Sequence, residues 1–258
     1  MSEQNTIYEV RDGAGWIHLN RPEQRNALSA GLVSELYEHL VAANADDAVR
    51  CIVITGNGTA FCAGADLKNP PGSPTAGKRT VDFPTVLSEI WNGPKPVIAA
   101  VNGAAFAGGL GLVGAADIVI AAREATMSFS EVRIGVIPAV IAVVCLRKIG
   151  PHHGMRLFVT GERFDGARAV ELGLAHKAVA GSELQAAVQE EIDAINLGGP
   201  IAVQACKKLV RALPDGDLPA DFTLAQEWSL RMFKSDEGQE GMAAFREKRR
   251  PSWVSSDD

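Results

Sequence analysis

Residues 95–122 read KPVIAAVNGAAFAGGLGLVGAADIVIAA, with two apolar runs, PVIAAVNG and DIVIAA, on either side of a glycine-rich stretch. Glycine loses much backbone entropy on folding and weakens any helix or strand it interrupts. Gly108, Gly109, Gly111 and Gly114 inside a core segment therefore need a reason. Gly109, Gly111 and Gly114 spell GxGxxG, and Glu124 closes the next apolar run as a ribose-binding acid would. A dinucleotide-binding turn follows its strand directly, however, whereas AAFAG intervenes here after Gly103, and three strands already precede it. A GxxxxGK phosphate loop does not occur in the sequence. Small residues that let a buried helix pack against a sheet account for Gly111 and Gly114. Gly108 suggests something further. A helix starting there leaves its first amides without intrahelical partners, at the positive end of the dipole. A substrate oxygen can reach them past a residue that has no side chain. That is the design of an oxyanion hole, in which one preorganised donor contributes about 3 kcal/mol to transition-state stabilisation. Such a site needs a second donor.

The segment GTAFCAGADLK (58–68) supplies a candidate, with Ala63, Gly64 and Ala65 where a loop passes into a helix. Around it the chain alternates strands and helices. TIYEVRDGAGWIHLN reads as two strands about the turn DGAG. Ser29 is placed to cap a helix carrying Leu32, Val33, Leu36, Leu40 and Val41 at helical spacing. VRCIVITG, KPVIAAVNG, DIVIAA and ATMSFS read as strands, the second a loose echo of the first. Residues 69–80, NPPGSPTAGKRT, read as a mobile loop, and 69–90 as the border of a substrate pocket. From AVIAVVCLRKIG onward the chain is mostly helical, over 183–197, 201–212, 221–234 and 236–248. No fixed-period repeat emerges. The layout is mixed α/β with an all-helical tail.

Composition narrows the function class. The chain has 258 residues, 47% hydrophobic and 22% charged, with a net charge of −6, which disfavours non-specific binding to nucleic acid. Cys51, Cys62, Cys145 and Cys206 show no metal spacing, and three of them lie in apolar segments as reduced thiols would. Cys62 reads as packing, and Trp91, Met127 and Phe129 as core. His152–His153 read as a helix surface, since neighbours in sequence do not share a helix face. Neither a signal peptide nor a membrane-spanning run is visible, so a soluble cytoplasmic protein is expected.

LNRPEQRNALS (19–29), ITGNGTAFCAGADL (54–67), residues 95–122, FSEVRIGVIPA (129–139), TGERFDGARAVELGLAHKAV (160–179) and GMAAFREKRRPSW (241–253) occur in that order. Together they resemble the crotonase superfamily, the enoyl-CoA hydratase/isomerase family. The resemblance implies an α/β spiral of ββα units over 1–198 and a C-terminal helical trimerisation region over 199–258. It also implies a homotrimer or homohexamer and an acyl-CoA thioester as substrate, with no cofactor or metal. Some relatives have been linked to RNA, which the acidic balance disfavours here, and no membrane partner is expected. Carried over by position, the oxyanion donors are the amides of Ala65 and Gly108. The CoA-binding strip is Arg25, Ala27, Ala63, Asp66 and Leu67, with Lys68 near the phosphates and Lys248 reaching CoA, in its own or a neighbouring subunit.

The best-known hydratases of this family use two glutamates. One falls on Glu131; the other falls on Gly111, which has no carboxylate. Glu131 lies in a mostly apolar stretch, where desolvation makes a carboxylate a better proton acceptor. A single base suffices for hydration if it returns to the α-carbon the proton it took from water. Relatives acting on branched, glutaconyl-type CoA esters share glycine at position 111 and a similar SEVRIGVIPAV segment. A single base also suffices for Δ3,Δ2-enoyl-CoA isomerisation. A catalytically silent CoA-binding homologue is the third reading.

Overall fold

The DGAG turn folds β1 (Thr6–Arg11) back on β2 (Ala14–Leu19) as an antiparallel pair, Thr6 opposite Leu19 and Arg11 opposite Ala14. A computed structural model of the chain describes residues 4–73, 80–213 and 217–254. Helix α1 (Ala30–Ala45) follows, its first turn capped by Ser29, whose hydroxyl accepts the Leu32 amide. Thereafter one unit is repeated. Strand β3 (Cys51–Gly56) joins a large sheet, β4 (Ala60–Cys62) joins a small one, and α2 (Phe83–Asn92) returns the chain. Next come β5 (Val97–Val101), β6 (Ala104–Phe106) and α3 (Gly108–Ala115), then β7 (Ile118–Ala122), β8 (Met127–Ser128) and α4 (Ala139–Thr160). The chain continues through α5 (Gly166–Glu171), β9 (Lys177–Val179) and α6 (Leu184–Leu197).

The large sheet runs β1-β2-β3-β5-β7-β9 and the small sheet β4-β6-β8, all pairs after β1–β2 being parallel. Each ββα unit therefore stacks on the one before, forming the expected spiral. The large-sheet strands read as unbroken apolar runs because both faces are covered. Alternation sorts their side chains. Ile52, Ile54, Ala99 and Val101 enter a core with α1 to α4, while Cys51, Val53, Ile98 and Ala100 meet Val188 and Ile192 of α6. The shortest strands of the two sheets were not all legible. Strands β4, β6 and β9 are only three residues long, and ATMSFS keeps just Met127–Ser128 as strand.

Two expectations are corrected. No helix follows Ala65 directly: α2 begins at Phe83, with Asp82 capping it through the Thr85 amide. Residues 83–90 are thus helix rather than loop; of the stretch read as a mobile loop, 74–79 lie outside the described residues.

The tail comprises α7 (Pro200–Ala212), α8 (Leu218–Lys234) and α9 (Asp236–Glu247). Helix α7 is pinned to the core by ions. Lys207 donates to the carbonyls of Ile90 and Lys95 at 2.8 and 2.9 Å and pairs with Asp117 at 2.8 Å. Arg211 pairs with Asp117 at 2.7 Å and lies 3.1 Å over the Trp91 ring, which is only partly buried. Burial lowers the pKa of Lys207, and Asp117 opposes that shift. Helix α8 buries no residue, and Phe222, Phe233 and Phe245 are exposed. Removing one partner of a buried ion pair strands the other. Asp117→Ala is expected to destabilise the protein by about 3–5 kcal/mol in urea unfolding.

Candidate active site

Three consecutive strands of the small sheet end side by side. Cys62 of β4 is paired with Ala105 of β6, and Phe106 with Ser128 of β8. Ala65, Gly108 and Glu131 follow those strand ends by two or three residues. The carboxyl ends of parallel strands are where α/β folds gather ligands.

The first loop is fixed by backbone bonds. Ala63 donates to the Arg25 carbonyl at 2.9 Å, Leu28 to Gly64 at 2.8 Å, and Asp66 to Leu28 at 3.0 Å. Leu28 and Ala65 thereby form an isolated parallel bridge. Such a bridge uses the groups on either side of Ala65 and turns its own amide away from Leu28. The buried Asn26 holds this region, donating to the Asn57 and Ala60 carbonyls and accepting the Arg21 amide. Arg21 also pairs with Asp66 at 3.0 Å.

The second loop is strained. Ala107, just before α3, has φ 48° and ψ −118°, a region that an L-residue rarely adopts. That twist orients the peptide entering Gly108, the first residue of the helix. Among the described residues the amides of Ala65 and Gly108 donate to no acceptor. The two loops touch at Gly64, whose φ is +94°. A Cβ on Gly64 would lie 2.9 Å from the Ala107 Cβ and 3.5 Å from the Gly108 amide nitrogen, so only glycine permits this approach.

Glu131 sits in a 3-10 turn, Ser130–Ile134, closed by the left-handed Gly135. Its Oε2 is buried without a partner among the described residues. Burial raises its pKa above the ordinary carboxylate value, partly offset by its own backbone amide. It feels the Cys145 thiol of α4, which donates to the Leu110 carbonyl of α3 at 3.3 Å. A carboxylate kept basic, beside a helix start with a free amide, can move a proton next to a stabilised oxyanion.

The proposed CoA strip is brought to the same edge. Ala27 and Ala63 are half-buried, whereas Arg25, Leu67 and Lys68 are exposed. The Asp66 carboxylate is occupied by Arg21 and the Lys68 and Asn69 amides, so its visible role is to shape the loop. Lys248 caps α9, which packs on α7 and α8. Sequence reasoning missed Ala107, Phe83 and Ile141. Asn26 lay inside the quoted RNALS, but nothing local marks its burial. Glu124 accepts the Gly181 amide at 3.0 Å, a structural role. Burial pushes the Cys62 thiol up to about 12, as suits packing. No group of three or more metal-ligating side chains occurs among the described residues, and none of the helices there is long and apolar enough to cross a membrane.

The family model for enoyl-CoA hydratase/isomerase matches residues 9–256. The chain belongs to the enoyl-CoA hydratase/isomerase family. It is 32% identical to a putative enoyl-CoA hydratase of Thermus thermophilus over 240 residues, 91% of this chain and 95% of the relative. A carnitinyl-CoA dehydratase of Proteus mirabilis is 34% identical over 245 residues, 92% and 93% of the two chains. Among solved structures, Pseudomonas aeruginosa AtuE superposes with a TM-score of 0.89 at 35% identity, covering 97% of this chain and 100% of that one. A putative crotonase of Legionella pneumophila gives 0.87 at 35%, covering 98% and 100%. The fold is accordingly that of the crotonases, and the chain is an enzyme of this family.

The raised pKa of Glu131 also bears on stability. A carboxyl whose pKa is higher folded than unfolded costs stability once ionised, and costs none below its unfolded pKa. Glu131→Gln is therefore expected to raise the melting temperature at neutral pH. The gain should vanish as pH falls below about 4. Thermal melts across pH test this.

Proposed function

We propose that this enzyme is an enoyl-CoA hydratase, adding water across the 2,3 double bond of an acyl-CoA thioester. The observation that carries the reading is the unpartnered, half-buried Glu131 carboxylate, on a loop that leaves the small sheet next to those bearing the free amides of Ala65 and Gly108. Those amides bind the thioester oxygen, more tightly as it becomes an enolate oxygen, which is where catalysis gains. Glu131 takes a proton from water, hydroxide bonds to the β-carbon, and the double-bond electrons pass to the thioester oxygen. When the enolate collapses, Glu131 returns the proton to the α-carbon. Water has then been added, and the enzyme is unchanged. Arg25, Ala27, Ala63, Leu67 and Lys68 line the path for CoA, and Lys68 suits its phosphates. Lys248 completes the site from a neighbouring copy in a trimer or hexamer, which would also cover the exposed Phe222, Phe233 and Phe245. The nucleotide of the substrate is the only cofactor-like group required.

The second reading, Δ3,Δ2-enoyl-CoA isomerisation, is favoured by the absence of a carboxylate at Gly111. One base there would shuttle a proton between the α- and γ-carbons.

Crotonyl-CoA hydration is expected to be measurable. Glu131→Gln should lower kcat by about 10²- to 10⁴-fold, as loss of a general base does, with KM changed little. The acid limb of kcat/KM should fall above the ordinary carboxylate range, because Glu131 must be ionised to act. Conjugated product from a 3-enoyl-CoA, without hydration of 2-enoyl-CoA, would establish the isomerase instead. Absence of turnover on either, with CoA thioesters still bound, would identify a silent homologue.

A further inference from the structure

Gly111 leaves no empty place where a carboxylate is missing. A Cβ there would lie 2.6 Å from Ile141 Cγ2, 3.3 Å from Ile141 Cβ and 3.2 Å from Phe83 Cε1. The same phenyl carbon would be 3.6 Å from a Cβ on Gly108, and Leu28 Cδ1 2.7 Å from it. Ile141 and Phe83 are themselves buried. The three hydrocarbon side chains thus cover the face of α3 that carries Gly108 and Gly111. On a helix, residues three apart share a face, and side chains tilt toward the N-terminus. A longer side chain at position 111 would therefore point at the free Gly108 amide. It is stopped by Ile141, which α4 presents one turn before Cys145, whose thiol donates to the Leu110 carbonyl of α3.

We infer that Ile141, backed by Phe83, is a specificity-determining residue that keeps this site to a single carboxylate by filling the space a second one would cross. The inference rests on the hydratase reading above. Its consequence is that every proton transfer passes through Glu131, while the opposite wall offers the acyl group only hydrocarbon. Branched, apolar acyl groups suit such a wall; a polar group on that side is left without a hydrogen bond.

The test compares Gly111→Glu, Ile141→Gly and the double variant for melting temperature and for the pH profile of crotonyl-CoA hydration. Gly111→Glu alone is expected to melt lower and lose activity. The double variant should melt no lower than Ile141→Gly alone, so that the glutamate costs less there than in the parent, and should add a second ionisation to its kcat/KM profile. Placed in the Glu131→Gln background, it should raise turnover at least tenfold. A purely structural role for Ile141 moves neither the profile nor that rescue. The inference is overturned if Gly111→Glu alone melts as the parent does and gains the second ionisation. It is equally overturned if the folded double variant keeps a single ionisation and rescues nothing. Should the glutamate variants not fold, Gly111→Ala with and without Ile141→Gly decides. Alanine alone must lower the melting temperature and must cost less in the Ile141→Gly background; an unperturbed Gly111→Ala, or an equal cost in both backgrounds, refutes the steric argument. An inactive parent enzyme, by contrast, removes the hydratase reading and the inference with it, whatever the melting data.

Discussion

The candidate site depends on the pairing of three very short strands. β4, β6 and β8 contribute few hydrogen bonds of their own, yet their parallel register decides which residues emerge together. Ala65, Gly108 and Glu131 are dispersed over the sequence and belong to three successive units of the spiral. The large sheet supplies the apolar burial that holds those units in order. The small sheet converts that order into a chemical constellation. Stability and function are thus divided between two sheets built from the same repeating unit.

Helix α3 carries both duties. Its small residues let α4 approach closely, and its first amide donates to no acceptor among the described residues. Its far end is held too: Lys148 donates to the Val113 and Ala116 carbonyls, and burial draws that lysine down to about 8. A cation at a helix C-terminus is favourable. The unfavourable backbone of Ala107, of the order of 1–3 kcal/mol for such conformations, persists because β6 on one side and the anchored helix on the other determine it. The candidate site therefore draws its geometry from a helix held at its far end by Lys148 and packed against α4.

Much of this was legible in the sequence, for identifiable reasons. Large-sheet strands appear as continuous apolar runs, and the tail helices as periodic ones separated by Gly, Pro or Asp. Gly108 stood out because glycine in a core segment has few explanations, whereas Ala65 and Glu131 were marked only by the family resemblance, their local sequence reading as a turn and as a helix-start or surface residue. Three-residue strands carry no period to detect, so β4 and β6 were missed although they define the site. The ββα repeat came from the family resemblance and not from a visible period, because its units differ in length: β3 to β5 spans over twice the residues of β5 to β7. Partners across space were invisible as well. Nothing near Ile141 or Phe83 announces Gly111, and the Leu28–Ala65 bridge joins residues 37 apart.

The inequality of the units has an evolutionary consequence. Between Cys62 and Val97 the chain makes a long excursion through α2, while from Phe106 to Ile118 it returns almost at once. Material can be inserted or deleted in the long excursion without altering the register of either sheet, since both of its ends are tied to neighbouring strands. Phe83 rides on that excursion. A lineage that changes the length of chain ahead of α2 can therefore re-aim Phe83 while inheriting the strand ends of the candidate site intact.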